Sequence, residues 1–409
     1  MLNPSLTILY QIDPLDISIG GIQTTILNFI KYAPQDFDIR LVGISSRKEC
    51  EIGRWQSILV FDRQIQYLPL LYVKDDNVRG LIPTTLKFLL ALFGKELDSD
   101  FLHFHRIEPS LVSMNWHGEK TLFIHADIKK QVNGQGDNKA FLWRYFPSAY
   151  FFFENFLIKQ FSYVLSCNSE SLQYFRETYC STEDRYQLIR NTVDDEIFFP
   201  LSTPLKDQKR LQLIAEMGLS LGTRFMAYVG RLHPQKDPLL LVRSIAELDD
   251  ANIHLLMIGE GELKEDIESE IKCLGLDSQI TLLGAMNSRE IADILRVSEL
   301  LALTSIYEGL PMVVLEALSC GIPVVSTDSG ETSKLLTENT GVVIPTRTPE
   351  STADSLRTVL RNSQSFPSKA CAQSSSPYWA RWVVSEVYNE MRERWKNKQQ
   401  LLEKTFSTV

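Results

Sequence analysis

Across the second half of the chain, short apolar β-rich runs alternate with helical patterns of roughly ten residues. The runs fall at 225–229, 253–258, 280–283, 300–303 and 323–326, with a further one at 341–344. Between them, apolar residues recur at helical spacing over 238–248, 263–274, 288–296, 312–319 and 332–336. Strand, helix, then strand again is the βαβ unit, which predicts a parallel sheet covered by helices on both faces. Such a sheet takes its ligands beyond the carboxyl ends of its strands. The loops that follow the runs are therefore where chemistry is expected.

The first half has the same grammar, less regularly. Runs at 6–10, 39–44, 101–105, 121–124 and 163–167 predict strands, and Gly20-Gly21 opens a helical stretch that ends near Tyr32. A chain of 409 residues exceeds what one core usually organises. Two α/β domains facing a cleft are expected, joined over 201–211, where Pro204 lies just beyond Pro200. A helical stretch after Pro349 runs to about Leu360, and a Ser/Gln/Pro-rich segment at 363–377 precedes an amphipathic final helix at 378–394.

Composition excludes several classes. With 44% apolar and 23% charged residues, the chain is neither disordered nor collagen-like nor a coiled coil. The net charge of -9 is spread over both halves, so no nucleic-acid partner is expected. Six cysteines without C-x-x-C spacing or histidine partners give no disulfide framework or zinc site, and a reducing compartment fits them. The amino terminus has no basic region followed by a long apolar stretch, so no signal peptide is expected. No run approaches the roughly 18–20 apolar residues of a spanning helix. A cytoplasmic setting follows as the expectation.

Three strand-end loops carry the candidate chemistry. The segment 308–316, EGLPMVVLE, follows an apolar run and enters a helix, with Pro311 near its first turn. The helix amino terminus offers unpaired N–H groups to an anion, and Glu308 and Glu316 offer acceptors to hydroxyl-rich ligands. A helix-cap acid followed by a surface acid is the plainer reading. In 229–236, VGRLHPQK, Arg231 and Lys236 bracket a loop in which Gly230 permits close backbone approach. These are either two solvated cations or the counter-charge for a diphosphate. Gly259-Glu260-Gly261 lacks the last glycine of a dinucleotide fingerprint and reads as a turn. In the first half, Gly20 and Gly21 mark a turn or a ligand approach, and His125 ends a strand as a cleft residue or a structural histidine. His103 and His105 share a face of one strand but show no third metal ligand.

Over residues 225–345 these motifs resemble the nucleotide-sugar domain of GT-B glycosyltransferases, family 4, through VGRLHPQKDP, IGEGEL, ITLLGAMNSREI, SIYEGLPMVVLEALSCGIPVVSTDSG and TGVVIP. The stretch Asn191-Thr192-Val193-Asp194 is similar to the family's entry into its linker. The resemblance implies two Rossmann-like domains, at 1–200 on the acceptor side and 201–375 for the nucleotide sugar. A terminal helix and tail at 376–409 would pack back across them. It implies retaining transfer of a sugar from a nucleotide-diphosphate donor to the hydroxyl of a carbohydrate or lipid-linked acceptor, in polysaccharide or glycoconjugate synthesis. No metal and no further cofactor are implied.

By the same resemblance Arg231 and Lys236 bind the donor diphosphate, and Glu308 contacts the donor sugar. The backbone from Gly309 through Leu310 to Met312 approaches sugar and phosphate, Glu316 holds the ribose, and Gly284 lies beside the base. Gly20 and Gly21 meet the phosphates from the first domain, with His125 near the reacting carbon. After Gly330 the family commonly has a second glycine and then a glutamate, where this chain has Glu331 and Lys334. A non-catalytic protein that binds a sugar nucleotide or a partner, and a sugar-nucleotide epimerase, are the alternatives. Finally, the aromatic-rich 141–161, including Phe141, Trp143, Tyr145 and Phe146, is either a buried helix, the expected reading, or a weak peripheral membrane contact.

Overall fold

The computed structural model describes residues 3–15, 20–74, 83–125, 147–179 and 183–406. It divides into two compact units, one of residues 1–190 with 380–409 and one of 191–379.

The second unit is a six-stranded sheet whose neighbouring strands all pair in parallel. Numbered along the whole chain, its strands are β9 (Arg224–Val229), β10 (Ile253–Ile258), β11 (Ile280–Gly284), β12 (Ser298–Leu303), β13 (Val324–Thr327) and β14 (Gly341–Ile344). They lie in the order β11-β10-β9-β12-β13-β14. The order reverses between β9 and β12, which opens a crevice above their carboxyl ends. Every residue of β10 is buried, as expected of a strand covered on both faces. Along β9, Phe225, Ala227 and Val229 enter one core cluster while Met226 and Tyr228 enter the other. Local signals set the helices between: Asn287 and Glu290 form a capping box, and Gly218 and Gly275 end their helices with φ of 66° and 68°. Residues 201–211 are not a free joint. They run into the helix Thr203–Met217, which packs Ile214 into this unit's core.

The first unit has eight strands in the order β3-β4-β2-β1-β5-β6-β7-β8. Its strands are β1 (Ser5–Leu9), β2 (Asp38–Ser45), β3 (Gln56–Val60), β4 (Arg63–Tyr72), β5 (Phe101–Phe104), β6 (Glu119–Ile124), β7 (Tyr163–Ser166) and β8 (Tyr186–Leu188). All pair in parallel except β3 with β4, an antiparallel hairpin. Its turn, Phe61-Asp62, holds φ of 49° and 60°, the left-handed pair of a type I′ turn. Here the order reverses between β1 and β5. Gly20-Gly21 opens the helix Gly21–Lys31 after β1, and His105 and His125 follow β5 and β6.

The final helix, Ala380–Phe406, is counted with the first unit. Val384, Tyr388 and Met391 are buried in its core, and the Tyr388 hydroxyl donates to Phe29 O at 3.0 Å. Arg392 grips both oxygens of Asp36 at 2.9 and 2.8 Å, and Arg394 does the same to Glu119. The chain thus leaves the first unit at Arg190 and re-enters it at Ala380.

The expectation of all-round burial for 141–161 fails where it can be checked. Residues 141–146 lie outside the described residues. In the helix Pro147–Ile158, Leu157 and Ile158 are buried but Phe152, Phe153 and Phe156 are exposed.

Because Tyr388 is wholly buried, Tyr388→Ala should lower unfolding stability by about 3–5 kcal/mol. Tyr388→Phe, which loses only the hydrogen bond, should cost about 1 kcal/mol. Urea titration checks both, and equal losses would mean that the hydroxyl rather than the packed ring anchors the helix.

Candidate functional site

In the second unit the loops that follow β9 and β12 meet at the crevice. Lys236 Nζ donates to Glu308 Oε1, and Ser305 Oγ donates to the same oxygen at 2.7 Å. Both partners are withdrawn from solvent, with 18% of the Lys236 side chain and 8% of the Glu308 side chain exposed. Backbone contacts brace the pair. Ile306 N–H donates to Gln235 O at 2.8 Å, Gln235 Nε2 to Tyr307 O at 3.0 Å, and Thr304 Oγ1 to Asp237 O at 2.7 Å. Among the described residues no donor reaches Glu308 Oε2, so the acid keeps an acceptor for a ligand hydroxyl.

The loop after β13 locks the far side. Gly330 has φ of 61°, and a Cβ there would lie 2.0 Å from Glu308 O, so only glycine lets the two backbones pass. The next N–H, of Glu331, donates to Gly309 O at 2.9 Å. Glu331 and Lys334, where the resemblance breaks, pair with one another at 3.1 Å. Across the crevice, Gly259 (φ 137°) stacks its backbone on Gly230, with only 2.0 Å from a built Cβ to Gly230 O. Its N–H donates to Gly284 O at 2.8 Å. The glycines of 259–261 therefore serve backbone approach, in line with the turn reading.

Arg231 is exposed, and its guanidinium takes no partner among the described residues. The helix Met312–Ser319 begins at the same crevice, and Asn191 Nδ2 donates to Leu310 O at 2.9 Å, fixing the approach to its first turn. An added Cβ at Gly309 would meet nothing within 4 Å. Glu316, one turn into that helix, is only 9% exposed, which overturns the surface-acid reading. No hydrogen bond reaches its carboxylate among the described residues, and burial pushes its pKa up to about 7. Arg231, Lys236, Glu308, Glu316, Gly230, Gly284, Gly309, Leu310 and Met312 are thus all carried by the strand ends, loops and first helix turns of one unit. Ser305, Gly330 and Asn191 support them; all three stand in stretches that carry the resemblance, at 305–330 and 191–194, though the sequence reading gave none of them a role.

The first unit holds a separate polar cluster. His105 Nδ1 and His125 Nε2 are 2.8 Å apart, and their rings stack at 14°. His105 Nε2 is buried without a partner. A bare lone pair there costs less than an orphaned N–H, which places a hydrogen on His105 Nδ1 and makes His125 Nε2 its acceptor. His125 then carries its own hydrogen on Nδ1. His103 is 1% exposed with neither ring nitrogen partnered, so it is a core residue. Among the described residues no three His, Cys, Asp or Glu side chains are arranged to hold a metal ion. Gly20 and Gly21 cap and start the helix after β1, where they accept the hydroxyls of Thr24 and Thr25 at 3.2 and 3.0 Å.

Burial pushes His125 down to about 4 and His103 to about 3, and it lowers His105 well below the usual imidazole value. Unfolded histidines take a proton near 6.5. The neutral cluster therefore contributes its full stability above about pH 6.5, and that contribution drains as pH falls toward about 4 and 3. Imidazole nitrogen NMR should find His125 as the Nδ1–H tautomer titrating near 4. An Nε2–H tautomer would contradict the pairing, and titration at 6.5 would contradict the burial.

Residues 210–373 match the family described as glycosyl transferases group 1. The chain is 26% identical over 242 residues to the D-inositol 3-phosphate glycosyltransferase of Corynebacterium glutamicum, covering 56% of this chain and 57% of that one. It is 27% identical over 363 residues to the N-acetylgalactosamine-N,N'-diacetylbacillosaminyl-diphospho-undecaprenol 4-alpha-N-acetylgalactosaminyltransferase of Campylobacter jejuni, covering 84% and 87%. The chain spans about half the length of the first curated relatives it matches. Among solved structures, Anabaena Alr3699/HepE in complex with UDP-glucose aligns with a TM-score of 0.68 at 15% identity, over 96% of this chain and 100% of that one. The fold is GT-B, built from two Rossmann-like units.

Proposed function

We propose that the chain, whose residues 210–373 match the family described as glycosyl transferases group 1, moves a sugar from a nucleotide-diphosphate donor to an acceptor hydroxyl. The observation that carries this reading is the Lys236–Glu308 pair, which joins two loops at the point where the strand order of the second unit reverses. The diphosphate sits against Arg231, Lys236 and the N–H groups opening the helix Met312–Ser319. As the bond between the anomeric carbon and the diphosphate lengthens, negative charge grows on the leaving oxygens, and these groups stabilise it. The reading assigns that charge stabilisation to the chain's own cations, with no resident metal ion.

Glu308 then turns from Lys236 toward the donor sugar, whose hydroxyls find its open Oε2. Glu316 accepts the ribose hydroxyls, which lowers the pKa that burial has raised to about 7. Gly309 keeps clear a space that no protein atom fills, which suits a sugar lying on the backbone. The acceptor oxygen bonds to the anomeric carbon on the face the diphosphate leaves, and its proton passes to the departing diphosphate, so configuration is retained. His125, holding a hydrogen on Nδ1, gives the first unit a donor for a ligand hydroxyl. The Campylobacter relative's name describes a sugar chain on diphospho-undecaprenol, and this supports a lipid-linked acceptor in glycoconjugate synthesis. HepE binds UDP-glucose, which supports a uridine donor.

A thermal-shift panel of UDP-, GDP- and ADP-sugars, with and without chelator, tests the donor. One sugar nucleotide should raise the melting temperature, equally with chelator present. Lys236→Ala should abolish the shift and lower turnover by about 10²–10³. Glu308→Gln should spare nucleotide binding yet lower turnover comparably. No shift with any donor in folded protein, or full turnover in Lys236→Ala, would refute the assignment.

A further inference from the structure

Four strands form the edges of the two sheets, and three of them are guarded. β8 is only three residues long, and β11 and β14 have no exposed residue. The fourth, β3, is open. An edge strand presents a row of unpaired N–H and C=O groups, which monomers ordinarily protect with lysine, proline or a bulge. β3 reads Gln56-Ser57-Ile58-Leu59-Val60, with no charge and no proline, and its pairing with β4 runs without a bulge. Ser57 and Leu59 are exposed, Leu59 by 61%. Large apolar side chains continue past both ends: Trp55 before the strand is 41% exposed and Phe61 after it 49%.

The turn decides which backbone groups point outward. A two-residue turn at Phe61-Asp62 makes Val60 and Arg63 the hydrogen-bonded pair beside it. Bonded and non-bonded pairs alternate along an antiparallel ladder, so Gln56 and Ile58 also bond to β4. Ser57 and Leu59 turn their N–H and C=O groups away from it. Among the described residues nothing bonds to those outward groups.

The strand is complementary to its own reverse. Two copies of β3 laid antiparallel at full overlap meet about Ile58, and Ser57 of each then faces Leu59 of the other. All four are outward residues, so the two pairs close four hydrogen bonds. The same overlap brings the start of one strand beside the hairpin tip of the other, Trp55 to Phe61 and Arg54 to Asp62. Arg54 now pairs with Glu51 at 3.4 Å, their side chains 79% and 65% exposed, a contact weak enough to exchange. At the tip, Lys31 Nζ lies 5.9 Å from the centre of the Phe61 ring. Each end thus carries one acid and one cation, and the two ends meet without repulsion.

We propose that β3 pairs antiparallel with β3 of a second copy of this chain, joining the two eight-stranded sheets across a two-fold axis at Ile58. Each copy uses the same edge, so the assembly closes at two. The proposal stands independently of the transfer reading.

Sedimentation velocity of the full chain over a concentration series tests it. The chain should be a dimer that dissociates on dilution. Leu59→Lys charges the edge twice per dimer and should raise the dissociation constant at least about tenfold. Ser57→Pro removes an outward N–H that no strand of the chain uses, and it should weaken the dimer as much. Both positions are exposed, so the far-ultraviolet circular dichroism of each variant should match the parent. Ile58→Cys reads the register, because Cα atoms across a non-hydrogen-bonded pair lie about 4.5 Å apart, within disulfide reach. Mild oxidation should link copies of that variant at least about tenfold more than the parent. A parent that stays monomeric at every concentration overturns the proposal. So does a dimer undiminished in either edge variant, an Ile58→Cys dimer that oxidation does not link, or assembly beyond two.

Discussion

Lys236 and Glu308 are brought together from loops 72 residues apart in sequence, and most of the second unit can be read as the means of holding them. The parallel sheet orders β9 beside β12, so the two loops leave from adjacent strand ends. Ser305 then fixes the carboxylate, and Gly330 lets the loop after β13 lie directly on the Glu308 backbone. A charge pair this far from solvent has already given up most of its hydration, and removing one partner leaves the other uncompensated. The proposed function uses that pairing: an incoming diphosphate would offer Lys236 a new anion, and an incoming sugar would offer Glu308 new donors.

Glu316 and His125 show the same logic with single groups. Each is kept partly or wholly from water, and each has its pKa moved toward the neutral form, Glu316 up to about 7 and His125 down to about 4. Buried polar atoms without protein partners are costly in the empty state. In the proposed reading a hydroxyl-rich ligand supplies donors to the carboxylate of Glu316, and a ligand of the first unit supplies an acceptor to the imidazole N–H of His125. The His105 contact decides which nitrogen of His125 offers that N–H, a second residue acting through the first.

Legibility in the sequence followed burial. The strands of the second unit lie near the predicted runs because both faces of that sheet are covered, and a continuous apolar run admits few other readings. Arg231, Lys236, Glu308 and Glu316 stood out as charges in strand-end loops and helix starts, but plainer readings stayed open for them and only the family resemblance gave them roles. The β3–β4 hairpin was not visible, since its turn uses Phe61-Asp62 where the usual signal is a glycine or asparagine. The β8 strand, three residues long, is too short to show a period. Burial of Glu316 and the contact between His105 and His125 depend on neighbours distant in sequence, and no local pattern encodes them. The outward phenylalanines of Pro147–Ile158 were legible as apolar, yet the sequence alone does not tell a core stripe from an exposed one.

The most direct test of the central claim is a crystal structure of the chain with a nucleoside diphosphate bound. The account predicts the diphosphate between Arg231, Lys236 and the start of the helix Met312–Ser319, the ribose hydroxyls on Glu316, and Lys236 moved off Glu308 onto a phosphate oxygen. A nucleotide seated away from the β9 and β12 loops, or one bound there with the Lys236–Glu308 pair unbroken and Glu316 untouched, would contradict it.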